Sequence, residues 1–276
     1  MLETVLLAAV GLVGGIFGSM VGLGGGIFII PCLTLFLDVP IHSAIAAGLV
    51  AVIATSTSGS VAYLRRGLVN LRLAVCVETV LVAGALTGGL VGAMLDKTVL
   101  SAIFGGVMIG VAFYMALGRS VLAHAHVDRE SVGLLGGGYQ DAHSGQVVRY
   151  RVRRLPFGLL AGLVAGNISG LLGVGGGFMT VPAMVLIMKV PMRAAAATSS
   201  LMLGVTACAG AVAYFARGLV DPTVAVPVVL GVTVGALIGS RLAVRVRQSV
   251  LAAVLAVMLF ALSVQMILAA AGIRVR

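Results

Sequence analysis

The chain is 276 residues long, has 18 basic and 8 acidic side chains for a formal net charge of +10, and draws 61% of its residues from the apolar set. Soluble chains have about 25% charged residues; here the share is 9%, with a mean hydropathy of +1.20. That excludes a water-soluble globule, a disordered chain and a secreted disulfide scaffold, and it predicts a polytopic membrane protein.

In chain order, apolar stretches occupy about 3–37, 41–64, 70–95 and 97–118. A polar, glycine-bearing segment follows over 119–155, and four further apolar stretches run at about 156–188, 191–216, 222–243 and 248–272. The first, Met1-Leu2-Glu3 onward, has no positive start and no small-residue cleavage pattern, so it is not read as a signal peptide. Long, medium, medium, medium occurs twice, and this is a duplication. Residues 11–69 and 162–220 align without a gap at an offset of 151, with 23 identities in 59 positions. Gly22-Leu23-Gly24-Gly25-Gly26 falls on Gly173-Val174-Gly175-Gly176-Gly177, Pro31 on Pro182, Pro40 on Pro191, and Arg66-Gly67-Leu68-Val69 on Arg217-Gly218-Leu219-Val220. The expected division is therefore repeat 1 over 1–118, a linker over 119–155 and repeat 2 over 156–276.

The first stretch of each repeat is overlong. About 34 residues of helix would reach roughly 50 Å, against a hydrocarbon core of about 30 Å. Glycine runs are the natural break, and half-helices are expected to open at Ile27 and Phe178. Backbone freed at membrane depth must be buried in protein or line a wet cavity. Paired half-helix N-termini, with their free N–H groups and positive dipole ends, suit an anion near the midplane. The competing explanation is close helix packing by small residues.

The arginines and lysines vote on topology. If each long segment turns back at its glycines, 14 of the 18 basic residues share the side of the central loop; if each crosses, 12 do. The first arrangement fits the positive-inside bias better. It gives an odd number of crossings per repeat, so the halves are expected to be inverted, with the linker cytoplasmic and both termini outside.

These motifs place the chain in resemblance. The duplicated Gly-Leu-Gly-Gly-Gly…Pro and Gly-Val-Gly-Gly-Gly…Pro elements, with Ala197-Thr198-Ser199 and the Arg-Gly-Leu-Val turns, resemble the TauE/SafE family of membrane permeases. The resemblance implies secondary transport of a sulfur-containing anion, of the sulfite, sulfoacetate or sulfonate class, coupled to the proton gradient. The first-repeat positions matching Ala197-Thr198-Ser199 are Ala46-Ala47-Gly48, so the hydroxyls at that point are one-sided.

The expected substrate-binding set is Gly22, Gly24, Gly25, Gly26, Gly173, Gly175, Gly176 and Gly177 with Asn167, Ser169, Thr180, Thr198 and Ser199. Hydroxyls and amides can hold an oxyanion without burying a full charge. Thr55-Ser56-Thr57-Ser58 faces all round its helix and is read mainly as packing. Glu78 is the one carboxylate well inside a predicted span and the proton-coupling candidate, with Arg72 six residues earlier as an interfacial neutraliser. His42 and Arg193 occupy matching positions after the two prolines, either as anion-attracting vestibule groups or as ordinary interfacial charges, and Arg66 and Arg217 occupy matching helix ends. His124, His126 and His143 of the loop have no convincing ligand spacing.

The sequence thus predicts an all-α polytopic membrane protein of two inverted repeats, each with a glycine-broken, discontinuous or re-entrant first segment plus three spans. It would move a small anion across a bacterial or archaeal cytoplasmic membrane by alternating access. No enzyme motif such as His-Glu-x-x-His or Gly-x-Ser-x-Gly occurs, and no cofactor or metal is expected. A passive anion channel, or a carrier of another small anion or a metal cation, are the alternatives. The expected partners are the small anion and the lipid bilayer, not nucleic acid; a homo-oligomer is compatible with the sequence.

Overall fold

The computed structural model of the chain describes residues 2–21, 24–65, 67–117, 133, 135–140, 147–242 and 248–270. Repeat 1 contributes α1 (Leu2–Val21), α2 (Gly26–Phe36), α3 (Ile41–Arg65), α4 (Leu71–Gly92) and α5 (Lys97–Leu117). Repeat 2 contributes α6 (Leu155–Leu172), α7 (Gly177–Pro182) running into a π-helical turn (Ala183–Ile187), α8 (Met192–Ala216), α9 (Pro222–Leu242) and α10 (Gln248–Ala270). Among the described residues, six helices are long and apolar enough to cross a membrane: α1, α3, α4, α6, α8 and α9. The fold is that of an all-α polytopic membrane protein.

Both overlong segments break at their glycines and fold back. A Cβ on Gly18 would meet Gly25, and one on Gly14 would meet Ile29, so α2 returns alongside α1. In repeat 2, Gly158 abuts Met188, and Gly176 approaches Ser169 and the Ala165 carbonyl. Eleven residues of α2 rise only about 16 Å, half the hydrocarbon core. The half-helices open at Gly26 and Gly177, one residue earlier than expected. Pro182 has no N–H to donate, and the turn after it widens to π geometry. Its repeat mate Pro31 sits in uninterrupted α-helix.

The repeats interlock. Helix α1 packs along α9, and α6 along α4; α3 crosses α9, and α8 crosses α4; α3 meets α8, and α5 meets α10. Exchanging the repeats maps each of these pairings onto another or onto itself. The α1–α9 and α4–α6 seams are built on glycines spaced four apart, as close helix packing in membranes requires. Cβ atoms on Gly231 and Gly235 would run into the carbonyls of Ala8 and Leu12, and on Gly166 and Gly170 into those of Leu81 and Ala85.

The stretch 119–155 is not all loop. Strands β1 (Gly137–Gln140) and β2 (Val147–Tyr150) form an antiparallel hairpin pairing Gly137 with Tyr150 and Gln140 with Val147. Its Tyr139 and Tyr150 are buried with Leu73 and Val77 of α4, Met184 and Val185 of the π turn, and Ala194 of α8. A larger core gathers α2 (Ile27, Ile29, Ile30), α3 (Ile45, Leu49, Val52), Leu172 and Val174.

Candidate functional site

The two breaks have the same backbone. Gly24 and Gly25 stand at φ 81° and 76°, Gly175 and Gly176 at 84° and 75°, all in the left-handed region that side-chain-bearing residues avoid. Gly25 and Gly176 cap their half-helices with no side-chain hydrogen bond. The N–H groups of Phe28 and Ile29 donate to Gly25 O, and those of Met179 and Thr180 to Gly176 O. The amides before them, of Gly26 and Ile27 and of Gly177 and Phe178, are those that a helix start leaves without an intrahelical partner.

The breaks also meet. A Cβ on Gly26 would stand 2.7 Å from Gly173 O and 3.4 Å from Val174 Cα. Val52 of α3 reaches both runs: its Cγ1 would lie 2.9 Å from a Cβ on Gly24 and 2.6 Å from one on Gly175, where Leu203 of α8 closes in at 3.0 Å. Val52 and Leu203 are repeat mates. The structure therefore brings together Gly24, Gly26, Gly173 and Gly175; Gly25 and Gly176 adjoin them as the half-helix caps, Gly177 begins α7, and Gly22 lies outside the described residues.

Hydroxyls gather at the second break. Ser199 Oγ and Thr180 Oγ1 lie 2.8 Å apart, and Thr180 Oγ1 also reaches Gly176 O at 3.3 Å. Ser169 is fully buried beside Gly176, and its Oγ has no hydrogen-bond partner among the described residues. Such an orphan costs about 1–3 kcal/mol; a bound polar ligand would remove that cost. Thr198 turns elsewhere: its Oγ1 accepts the backbone N–H of Asn70 at 3.1 Å. Asn167 faces α4, donating Nδ2 to Thr87 Oγ1 at 3.1 Å. In the hydroxyl run of α3, Thr55 reaches Gly24 O at 2.8 Å as well as Val52 O of its own helix at 2.9 Å, and Ser56 donates to Ser200 O at 2.6 Å, while Thr57 bonds back to its own helix at Ile53 O.

Glu78 leaves α4 toward α8. Its Oε1 accepts Thr206 Oγ1–H at 2.7 Å, and its Oε2 is buried without a partner. Arg72, the neutraliser expected from sequence proximity, is exposed. The carboxylate's partner is thus a hydroxyl on the neighbouring helix. Thr55 and Thr206 are themselves repeat mates, identical in the 151-residue register, and that identity was the available signal for both.

At the outer ends, His42 Nε2 lies 3.0 Å from Leu95 O and donates to it in the tautomer protonated there. Asn70 organises the opposite corner. It caps α4 by accepting Leu73 N–H at 3.1 Å, and its Nδ2 donates to Leu135 O at 2.9 Å and to Tyr150 Oη at 3.2 Å. Burial raises the Tyr150 phenol above its usual range, the Asn70 bond opposing. A cavity of about 280 Å³ lies beside this corner, lined by Gly67–Arg72, Gly136–Tyr139 and Tyr150. Among the described residues no cluster of three or more His, Cys, Asp or Glu could hold a metal; His124, His126, His143 and Arg66 lie outside the described residues.

Residues 7–266 match the family model described as sulfite exporter TauE/SafE. The chain is similar to the probable membrane transporter protein YunE of Bacillus subtilis, 30% identical over 82% of this chain and 84% of the relative. A probable membrane transporter protein of Xylella fastidiosa is 30% identical over 79% of this chain and 77% of its own. One from Methanocaldococcus jannaschii is 27% identical over 76% and 71%. No solved structure matches the chain.

Proposed function

The chain belongs to the sulfite exporter TauE/SafE family of membrane transporters, and from that premise we propose that it is a secondary carrier of a small sulfur-containing anion, coupled to protons. The observation that carries this reading is the contact of the two glycine breaks, Gly26 against Gly173. It brings two half-helix starts against each other, and uncapped amides there favour an anion.

The anion would bridge the amides of Gly26 and Ile27 and those of Gly177 and Phe178, and take the free hydroxyl of Ser169 with Thr180 and Ser199. Thr198 and Asn167 would act from outside, through Asn70 and α4. Glu78 would carry the coupling proton: it is buried enough to be shielded, and its Oε2 is unpaired. The halves would be inverted, with the hairpin-bearing linker cytoplasmic, because both long segments fold back and that geometry places most basic residues on one side. One repeat rocking against the other about the breaks would alternate access, in a bacterial or archaeal cytoplasmic membrane.

Uptake into proteoliposomes tests the reading, with sulfite, sulfoacetate and taurine compared under an imposed pH gradient. Saturable, gradient-driven uptake of one of them, weakened by Ser169→Ala and lost in Glu78→Gln under the gradient, is the expected result. Folded protein that moves none of the three sinks the sulfur-anion assignment. Uptake that is independent of the gradient sinks the coupling.

A further inference from the structure

Thr55 and Thr206 are the same residue in the two repeats, on helices that pack against each other, α3 and α8. Their hydroxyls do different things. Thr55 Oγ1 lies 2.8 Å from Gly24 O, the shortest of its three carbonyl contacts beside Val52 O at 2.9 Å and Ala51 O at 3.2 Å, and so caps the carbonyl of the first break. The equivalent carbonyl in the second break is Gly175 O, on a glycine of nearly the same φ (84° against 81°). Thr206 instead gives its hydroxyl to Glu78 Oε1 at 2.7 Å. Position 229, the repeat mate of Glu78, is Val229, so repeat 2 offers no carboxylate to compete for Thr55. A hydroxyl has one proton and serves one acceptor well.

We propose that Thr206 is a positioning residue that reports the protonation of Glu78 to the second glycine break. With Glu78 ionised, the Thr206 hydroxyl is held on Oε1. With Glu78 protonated, it is released to Gly175 O and caps the second break as Thr55 caps the first. A hydrogen bond to a carboxylate is about twice as strong as one between neutral groups, so loss of the charge removes the preference for Glu78. The only chemical change is one proton, taken from water by the carboxylate oxygen without a partner; the Thr206 hydroxyl then turns from one acceptor to the other. The inference rests on the reading of Glu78 as the coupling group, and it adds the route by which coupling reaches the site.

Few other groups compete. Helix α6, packed on α4, has no ionisable side chain, and neither has the π turn. On α8, Arg193 lies thirteen residues before Thr206, about 20 Å along the axis. Cys208 is exposed, about 200° around the helix from Thr206, and Tyr214 Oη donates to Leu171 O. On α4, Arg72 is exposed and Cys76 half-buried. The hairpin's Tyr139, Tyr150 and Arg149 lie at the Leu73 end.

The test reads the break itself and needs no substrate. Amide exchange of the full chain in nanodiscs is followed at about pH 5 and about pH 8, corrected for intrinsic rates, either side of the range where buried carboxyls titrate. In the wild type, protection over residues 173–180 should change by about tenfold, the ratio one net hydrogen bond at the upper end of its usual worth would give. Residues 24–30 should not respond. Glu78→Gln and Thr206→Val should each abolish the response, and Thr206→Ser should restore it. A response that survives in Thr206→Val, or that appears equally at the first break, overturns the inference. Transport gives the separate arm. A wild type that moves no anion but shows the exchange response removes the function and leaves the switch. A carrier whose flux keeps its full pH profile in Thr206→Val removes the switch and leaves the function.

Discussion

The backbone N–H of Asn70 donates to Thr198 Oγ1 at 3.1 Å, tying the turn before α4 to the buried first half of α8 across 128 residues of sequence. The same asparagine caps α4 and holds the hairpin through Leu135 and Tyr150. Asn70→Ala should lower stability by about 1–2 kcal/mol, as loss of an N-cap does. Asn70→Asp keeps the cap and loses the Nδ2 donors. It should hold most of the thermal midpoint yet open the hairpin to proteolysis; a hairpin in Asn70→Asp as protected as in the wild type would refute the tether.

The glycine seams predict a sharp contrast within one residue type. A Cβ on Gly88 would overlap the carbonyl of Asn167, whereas Cβ atoms on Gly106 and Gly110 of α5 would meet nothing within 4 Å. Gly88→Ala should therefore leave little monodisperse protein after extraction. Gly106→Ala and Gly110→Ala should be neutral or gain up to about 1 kcal/mol from helix propensity. Size-exclusion profiles and thermal midpoints of the three variants decide it.

Val52 touches both breaks, and its side chain is fully buried. Val52→Phe should crowd both breaks and lower uptake by an order of magnitude or more, while Val61→Phe, on the exposed side of the same helix, should transport normally. Undiminished uptake by Val52→Phe would move the pathway elsewhere.

Asp221 begins α9, where its Oδ1 accepts Thr223 Oγ1–H at 2.7 Å and Thr223 N–H at 2.9 Å. Those bonds, the hydroxyl's first, hold its carboxyl below the ordinary range. A depressed folded value means the stabilisation is present above the unfolded pKa and fades as pH falls through the folded one. Asp221→Ala should accordingly lower the thermal midpoint at neutral pH, with the gap to wild type closing in acid. A gap constant over that range would remove the charge from the account.

Much of the frame was legible because duplication leaves glycines and prolines in register, and few residues can replace them at a positive φ or a helix break. The two breaks and their fold-back could thus be read before any coordinates. What sequence distance hides is which way a side chain leaves its helix. Arg72 stands near Glu78 along the chain, but the carboxylate turns to Thr206, 128 residues on. Thr198, adjacent to Ser199 in sequence, faces Asn70 instead of Thr180, because neighbouring helical residues point about 100° apart. The hairpin is not legible in the sequence because its strands are only four residues each and the first opens on two glycines, too little for a period-two pattern to declare itself. The seam glycines were visible at their spacing of four, but spacing alone does not name the partner helix.

That partnership sets an order on biogenesis. The small-residue face of α1 waits for α9, which a ribosome reaches only about two hundred codons later, and α4 waits for α6 beyond the linker. A nascent first half therefore sits in the bilayer with its grooves filled by lipid until its sister arrives. Severed halves produced together should find each other, and either produced alone should be cleared by quality-control proteases.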